Sequence, residues 1–245
     1  PTGLTADITA LTLNVTGATA ANKTYDALLT AAISGGAISI ISGDTVTLVS
    51  SGRAGVFADK NVGTGKAVTV SGYSLSGADA GNYALVQPTG VTADITARTL
   101  NVTGATAADK TYDALLAAAV SGGTISVISG DAVTLNSANR AGLFADKNVG
   151  TGKAVTVTGY SISGTDAGNY SLVQPSGVTA DITPLALNIT GVTAADKTYD
   201  ALLGTTVSGG AISAIAGDTV TLVGSGRTGV FTDKNVGTGK AVTVS

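Results

Sequence analysis

The sequence predicts an all-β fold: a tandem array of small antiparallel β-sandwich repeats of 87 residues forming an elongated rod. Three observations carry this. The stretch Phe57-Ala58-Asp59-Lys60-Asn61-Val62-Gly63-Thr64-Gly65-Lys66-Ala67-Val68-Thr69-Val70 returns almost unchanged at 144–157 and 231–244, 87 positions on each time. A period that long marks a whole small domain copied in tandem. Within each period the apolar residues alternate with polar ones. Glycine supplies 34 residues, about twice the usual share of roughly 7%.

The elements follow in order. Leu11, Leu13 and Val15 alternate with Thr12 and Asn14 and read as a half-buried strand that Gly17 ends. Asp26-Ala27-Leu28-Leu29, just after Tyr25, is the one segment suited to a short helical turn. Ile38, Ile40 and Ile41 lie between Gly35-Gly36 and Gly43-Asp44. Val46 and Leu48, then Val68 and Val70, alternate with threonines, and Tyr73 and Leu75 lead to the turn Gly77-Ala78-Asp79-Ala80-Gly81-Asn82. Tyr83, Leu85 and Val86 reach Pro88, and 91–95 forms a closing strand. That makes about seven or eight short strands per repeat, the pattern of an immunoglobulin-like antiparallel sandwich.

The repeats run 10–96, 97–183 and 184–245, the last incomplete at its C-terminal end, and 1–9 matches the closing strand of a preceding repeat. The expected parent is a longer array of which this is a window. Only Thr96-Ala97-Arg98-Thr99 separates one closing strand from the next opening strand, so the joint is expected to be semi-rigid. Exchanges such as Val15/Val102/Ile189 and Val56/Leu143/Val230 preserve bulk and read as core positions. The segments around Ser50, Ser137 and Ser225 vary and read as solvent loops.

Composition narrows the chemistry. All 16 acidic residues are Asp, against 13 basic ones, for a net charge of −3. That is too weak and too dispersed for a nucleic-acid surface. No His or Cys is present, so a Ser-His-Asp set, thiol chemistry and the usual zinc and haem ligands have no residues to build them. Catalytic residues: none; cofactors: none; no enzyme is expected. No apolar run long enough to span a membrane occurs in the sequence.

Four ordered motifs give a family resemblance: Lys23-Thr24-Tyr25-Asp26, Phe57 to Lys66, Leu75 to Tyr83, and Ala93-Asp94-Ile95-Thr96. They resemble the YDG and mostly-β glycine-rich (MBG) tandem repeats of filamentous-haemagglutinin-like bacterial surface adhesins. One departure is that the family's Tyr-Asp-Gly reads Tyr25-Asp26-Ala27, and likewise at Tyr112 and Tyr199. The resemblance implies a secreted or surface-attached stalk, hence an extracellular location on a bacterial cell surface, and no catalytic residue.

The polar clusters each have a plain and a sharper reading. Asp59, Asp79 and Asn82 lie in Gly-rich turns and offer oxygens to calcium, but such residues ordinarily bond their own backbone. Lys23, Lys60 and Lys66 recur beside Asp or Asn; buried, such a pair is suited to a spontaneous isopeptide bond, exposed, to a simple ion pair. Val62-Gly63-Thr64-Gly65-Lys66 lacks the first Gly and final Ser or Thr of a phosphate loop and reads as a turn into a strand. Tyr25, Tyr73 and Tyr83 are expected in the core with their hydroxyls tied to turns, against stacking on sugars. Three roles are consistent with this: a stalk segment, a self-assembling extracellular fibre or biofilm-matrix subunit completed by inter-chain strand addition, and a weak multivalent carbohydrate-binding array. The expected partners are neighbouring repeats or chains of the same protein, and cell-surface or matrix glycans.

Overall fold

The computed structural model describes residues 2–245, so Pro1 of the 1–9 segment lies outside it. The first repeat contains eleven short strands: β1 (Leu11–Asn14), β2 (Thr16–Ala20), β3 (Lys23–Thr24), β4 (Thr30–Ala31), β5 (Ile33–Ala37), β6 (Thr47–Val49), β7 (Ala54–Phe57), β8 (Gly63–Ser71), β9 (Ser74–Ser76), β10 (Tyr83–Val86) and β11 (Thr92–Thr96). The second repeat forms the same eleven, from Arg98–Asn101 to Thr179–Thr183. The only helical elements among the described residues are the 3₁₀ turns Ala80–Asn82 and Ala167–Asn169, and no helix is long and apolar enough to cross a membrane. The fold is all-β, in tandem repeats with sandwich-like sheets.

One five-stranded sheet runs β3-β11-β8-β7-β4, and three two-stranded sheets pair β1 with β10, β2 with β5, and β6 with β9. Most pairings are antiparallel, as the alternating pattern predicts. Two are parallel: Leu11–Asn14 beside Tyr83–Val86, and Lys23–Thr24 beside Ile95–Thr96. Both join the start of the repeat to its end, a distance in sequence that a parallel pair needs for its crossover. The alternation of β8 buries Val68 and Val70 while Thr69 faces out. Opposite Gly63–Lys66 the β11–β8 register shifts between Ala93 and Ile95, and Gly65 takes a φ of 58° there, with its amide donating to Asp94 Oδ1 at 2.7 Å. The glycine-lysine stretch is therefore a bulged strand start, its amide already committed.

The compact units do not follow the sequence repeats. Unit 1 comprises 1–106, 121–140 and 157–176; unit 2 comprises 107–120, 141–156 and 177–245. Unit 1 thus holds all of repeat 1 together with the second-repeat pairs Arg98–Asn101 with Tyr170–Val173 and Thr134–Asn136 with Ser161–Ser163. Its core joins Tyr25, Phe57, Val68, Ile95 and their neighbours to Leu100 and Tyr170, with Ile125, Val133 and Leu172 packed against them. Only Ala97 separates the closing strand from the next opening strand, so the joint is a shared hydrophobic core and not a linker. Unit 2 holds most of the second repeat's five-stranded sheet, built on Lys110–Thr111, Thr179–Thr183, Gly150–Thr158 up to Thr156, Ala141–Phe144 and Ala117–Ala118, together with repeat 3.

Several expectations change. Val56, Leu143 and Val230 are about half exposed, because strand alternation points Gly55 and Phe57 inward and Val56 out. Val15 and Val102 are core, but Ile189 is exposed. Repeat 3 has five strands, Thr190–Ala194, Gly204–Thr205, Val207–Ala211, Gly229–Phe231 and Val242–Val244. The strands it does not form are counterparts of β1, β3, β6 and the first half of β8, whose partners in the earlier copies come from 72–96. Residues 2–9 carry the closing-strand sequence without forming a strand, and Leu4 and Ile8 are 87% and 101% exposed.

No helical turn forms at Asp26–Leu29. Among the described residues, Ala27, Ala114 and Ala201 are the non-glycine residues with positive φ, at 63°, 63° and 62°, and Asp26 Oδ1 instead accepts the Leu28 amide at 2.9 Å. These alanines stand where the family motif has glycine, in the left-handed region that costs an L-residue about 1–2 kcal/mol. Glycine's extra unfolded-state freedom offsets part of that. Ala27→Gly is therefore expected to stabilise the chain by about 0.5–1 kcal/mol, with Ala114→Gly and Ala201→Gly acting in the same direction. Denaturant titration checks this, and a lowered midpoint contradicts the conformational account. A second backbone demand lies at Gly123, whose φ is 98° and where a Cβ would stand 2.6 Å from the Tyr160 ring. Tyr160 is buried with its hydroxyl donating to Gly122 O at 2.8 Å, so the ring has no room to withdraw. Gly123→Ala is expected to cost roughly 2–4 kcal/mol, well above Gly210→Ala in repeat 3, where the nearest atom is a flexible Arg227 nitrogen at 3.3 Å. Equal losses in the two melts would contradict it.

Candidate functional site: the joint between consecutive repeats

Asp131 is the centre of the site in unit 1. Its side chain is 1% exposed, at the end of a turn in which its amide donates to Ile128 O at 3.1 Å. Three groups converge on it. The Tyr25 hydroxyl reaches both carboxylate oxygens at 2.9 Å, Tyr170 Oη donates to Oδ2 at 2.7 Å, and Lys60 Nζ lies 2.9 Å from Oδ1. Lys60 also pairs with Asp166 at 3.3 Å. The Tyr25 and Tyr170 rings meet edge to face at 5.6 Å, and Lys60 Nζ sits 5.9 Å from the Tyr25 centroid. Tyr25 and Lys60 come from repeat 1; Asp131, Asp166 and Tyr170 come from repeat 2.

Each donor is held by its own strand or turn. Tyr25 follows β3, and its amide donates to Thr96 O at 2.9 Å. Lys60 sits in the Asp59–Val62 loop, where Asp59 Oδ1 accepts the Asn61 amide at 2.8 Å and Lys66 Nζ at 2.7 Å. Asp166 Oδ2 accepts the Ala132 amide at 2.9 Å. Asn169, 4% exposed, ends the 3₁₀ turn; its Oδ1 accepts the Val62 amide at 2.9 Å and its Nδ2 donates to Asn61 Oδ1 at 3.2 Å. The Tyr170 hydroxyl accepts the Ile128 amide at 3.0 Å while donating to Asp131. No buried side-chain nitrogen or oxygen among the described residues is left without a partner.

The electrostatics keep the node ionised. Burial pushes the Asp131 carboxyl up, but the bonds from Tyr170, Lys60 and Tyr25 outweigh it and hold it below the usual carboxylate range. The Asp131 bond, reinforced by Tyr25, holds the Lys60 ammonium above its ordinary value. Burial raises the Tyr25 and Tyr170 phenols, with Asp131 adding to the rise. This is a charged ion pair, the opposite of the neutral amine and acid that isopeptide formation requires.

Unit 2 repeats part of the arrangement. Tyr112 Oη and Lys147 Nζ bond Asp218 at 2.9 and 3.0 Å. A cavity of about 310 Å³ lies beside this pair, lined by Tyr112, Asn148, Val149, Leu185, Ile215 and Asp218, and the Asp218 side chain is 16% exposed.

The other sequence candidates are placed as follows. Lys23 Nζ bonds Asp26 Oδ1 and Leu28 O, both at 2.7 Å, and lies 5.4 Å from the Phe57 centroid. It pins the Tyr-Asp-Ala loop. Asp79 Oδ2 accepts the Thr45 amide at 2.7 Å, while Asp59 is taken by Lys66 and Asn61. Asp59, Asp79 and Asn82 do not converge, and the described residues contain no group of three or more carboxylates placed to hold a metal. Tyr25, Tyr73 and Tyr83 are all buried; Tyr73 Oη donates to Gly35 O at 2.8 Å and Tyr83 Oη to Asp44 Oδ2 at 2.6 Å. The residue that sequence reasoning missed is the Asp of Gly43-Asp44, Gly130-Asp131 and Gly217-Asp218. It recurs at the full period, which is the signal that could have found it.

Fold and joint together define a tandem-repeat β-protein whose repeats are interlocked through their own signature residues. The YDG domain family model matches residues 9–91, 96–179 and 183–245, and the chain belongs to that family. Comparison with curated proteins and with solved structures returns no match.

Two outcomes follow. Asp131→Ala strands two buried phenols and an ammonium, and is expected to cost roughly 3 kcal/mol. Asp44→Ala loses only the bond from Tyr83 and is expected to cost about 1 kcal/mol; equal losses in chemical denaturation would contradict the joint. The pH dependence follows from the shifts. The depressed Asp131 value makes its contribution complete above the unfolded carboxyl value of about 3.9 and lost as pH falls through the folded one. The raised Lys60, Tyr25 and Tyr170 values make theirs complete below about pH 10 and lost as pH rises through the folded values. Melting temperature should be flat between these limits, and Asp131→Asn should make the acid limb less steep. An unchanged acid limb would contradict this.

Proposed function

We propose that this chain is a stalk segment of a secreted or surface-attached bacterial adhesin, whose work is to extend and hold a distal binding region. The observation that carries the reading is the joint. Three of the four motifs that define the repeat put residues into the contacts between repeats, with Tyr25 and Lys60 of one repeat on Asp131 and Asp166 of the next and Asn169 of the next on Asn61 and Val62. A module whose signature residues serve its own succession is suited to building length at a set geometry. The family resemblance to filamentous-haemagglutinin-like adhesins supports the same reading and supplies the extracellular location.

Small-angle scattering at high dilution tests the mechanical half. At roughly 35–40 Å per repeat the expected maximum dimension is about 100–120 Å, with Asp131→Ala giving a more bent ensemble. A compact particle would end the stalk reading. An antibody raised against the chain tests the location: it should label intact producing cells, and labelling only after lysis would rule out a surface role.

A further inference from the structure

We propose that Asn14, Asn101 and Asn188 are acceptor sites for N-linked glycosylation. The inference goes beyond the stalk reading and does not rest on it, since sugar on these side chains is read by mass whatever the chain extends or holds. Five Asn-x-Ser/Thr sequences, the acceptor pattern of N-linked sugars, occur in the chain: Asn14-Val15-Thr16, Asn22-Lys23-Thr24, Asn101-Val102-Thr103, Asn169-Tyr170-Ser171 and Asn188-Ile189-Thr190. The structure divides them into two sets.

Two are used by the fold. Asn169 is buried, its Oδ1 accepting the Val62 amide and its Nδ2 donating to Asn61 Oδ1, so a sugar there would part the joint. Asn22 Oδ1 accepts the Asp94 amide at 2.7 Å, and its Nδ2 donates to Asp94 Oδ2 at 3.4 Å. In repeat 2 the same place is taken by Asp109, whose Oδ1 accepts the Asp181 amide at 2.7 Å. What the fold uses there is a side-chain oxygen, and Asp109 supplies it without an amide nitrogen.

The other three recur at the full period. Asn14 and Asn101 end their strands with exposed side chains, and Asn188 is exposed as well. Among the described residues, these three side chains make no hydrogen bond. Val15 and Val102 are buried, so Asn14 with Thr16, and Asn101 with Thr103, project together to the outer side, as alternate residues of an extended chain do. That puts a threonine hydroxyl on the same side as each amide. The hydroxyls are lightly held: Thr16 Oγ1 lies 3.4 Å from Ala37 O, Thr103 Oγ1 3.4 Å from Thr124 Oγ1 and Thr190 Oγ1 3.5 Å from Ala211 O, beyond the ordinary length of a hydroxyl bond. Packing does not account for the asparagine, a residue that strands disfavour. The neighbouring exposed positions change between copies, Leu11/Arg98/Leu185 and Thr12/Thr99/Ala186, while Asn and Thr stay. The middle residue changes too, Val15/Val102/Ile189, which the acceptor pattern permits. Transfer needs a sugar activated as its diphosphate, nucleotide-linked or lipid-linked. Asn Nδ2 bonds the sugar C1 as the C1–O bond breaks; the electron pair leaves on the diphosphate, and one Nδ2 proton passes to the transferase.

Peptide mass spectrometry of the protein isolated from the cells that make it tests the proposal. Peptides holding Asn14, Asn101 and Asn188 should be heavier by whole sugar residues, about 160 Da for each hexose, and those holding Asn22 and Asn169 should be unmodified. One sugar per site indicates the nucleotide-linked donor, a preassembled chain of sugars the lipid-linked one. Asn14→Gln and Thr16→Ala, each melting as the wild type does, should lose the adduct at position 14 alone, and Thr16→Ser should keep it. Unmodified peptides at Asn14 and Asn101 overturn the proposal. So does sugar on Asn22 or Asn169 to the same extent, or an adduct at Asn14 that survives Thr16→Ala.

Discussion

A carboxylate buried between two repeats is the constraint on which this structure turns. Asp131 is almost wholly withdrawn from water, a state that carries a large desolvation penalty unless the charge is paired and hydrogen-bonded. Repeat 2 supplies one hydroxyl, from Tyr170; the second hydroxyl and the ammonium come from repeat 1. Neither repeat satisfies the node alone. Partial satisfaction is worse than none in a buried polar network, so the node selects one arrangement of neighbours and rejects others.

The division of the chain into packing units follows from this. The five-stranded sheet of a repeat carries large apolar residues, Phe57, Val68, Val70 and Ile95, on its inner face, and a domain of 87 residues has little surplus core. In unit 1 that face is completed by residues such as Leu100 and Tyr170 of the following repeat. Repetition therefore supplies a missing layer as well as length, which is the logic of solenoids applied to a sandwich. The third repeat shows the same dependence from the other side. Strands whose partners lie in the 72–96 segment form in copies 1 and 2 and do not form in copy 3, although their sequences are nearly the same. Local propensity alone does not make these strands; pairing does.

Much of this was legible in the residues. The period, the all-β class, the strand at 68–70 and the burial of Tyr25, Tyr73 and Tyr83 follow from alternation and from the size of the aromatic groups. Lys60, Asp79 and Asn82 stand out as recurring polar groups in turns, and the structure uses their positions at the joint, but drawn from two neighbouring copies. A single repeat read alone has no means of showing that Lys60 of one copy faces the aspartate 71 positions on. The parallel pairs and the outward side of Val56 were equally hidden, because both depend on which strands become neighbours. Ala27 is the converse case. The family motif asks for glycine there, and the left-handed backbone explains why, even though this chain places alanine in it.

The central claim is that neighbouring repeats are coupled through Asp131, and a double-mutant cycle tests it most directly. Tyr25→Phe, Asp131→Ala and the double variant would be compared with the wild type by denaturant unfolding. The account predicts a coupling energy of at least about 1 kcal/mol, the double variant losing less than the two single losses combined. Additive losses within a few tenths of a kcal/mol would show that the two repeats do not depend on this contact, and would contradict the account.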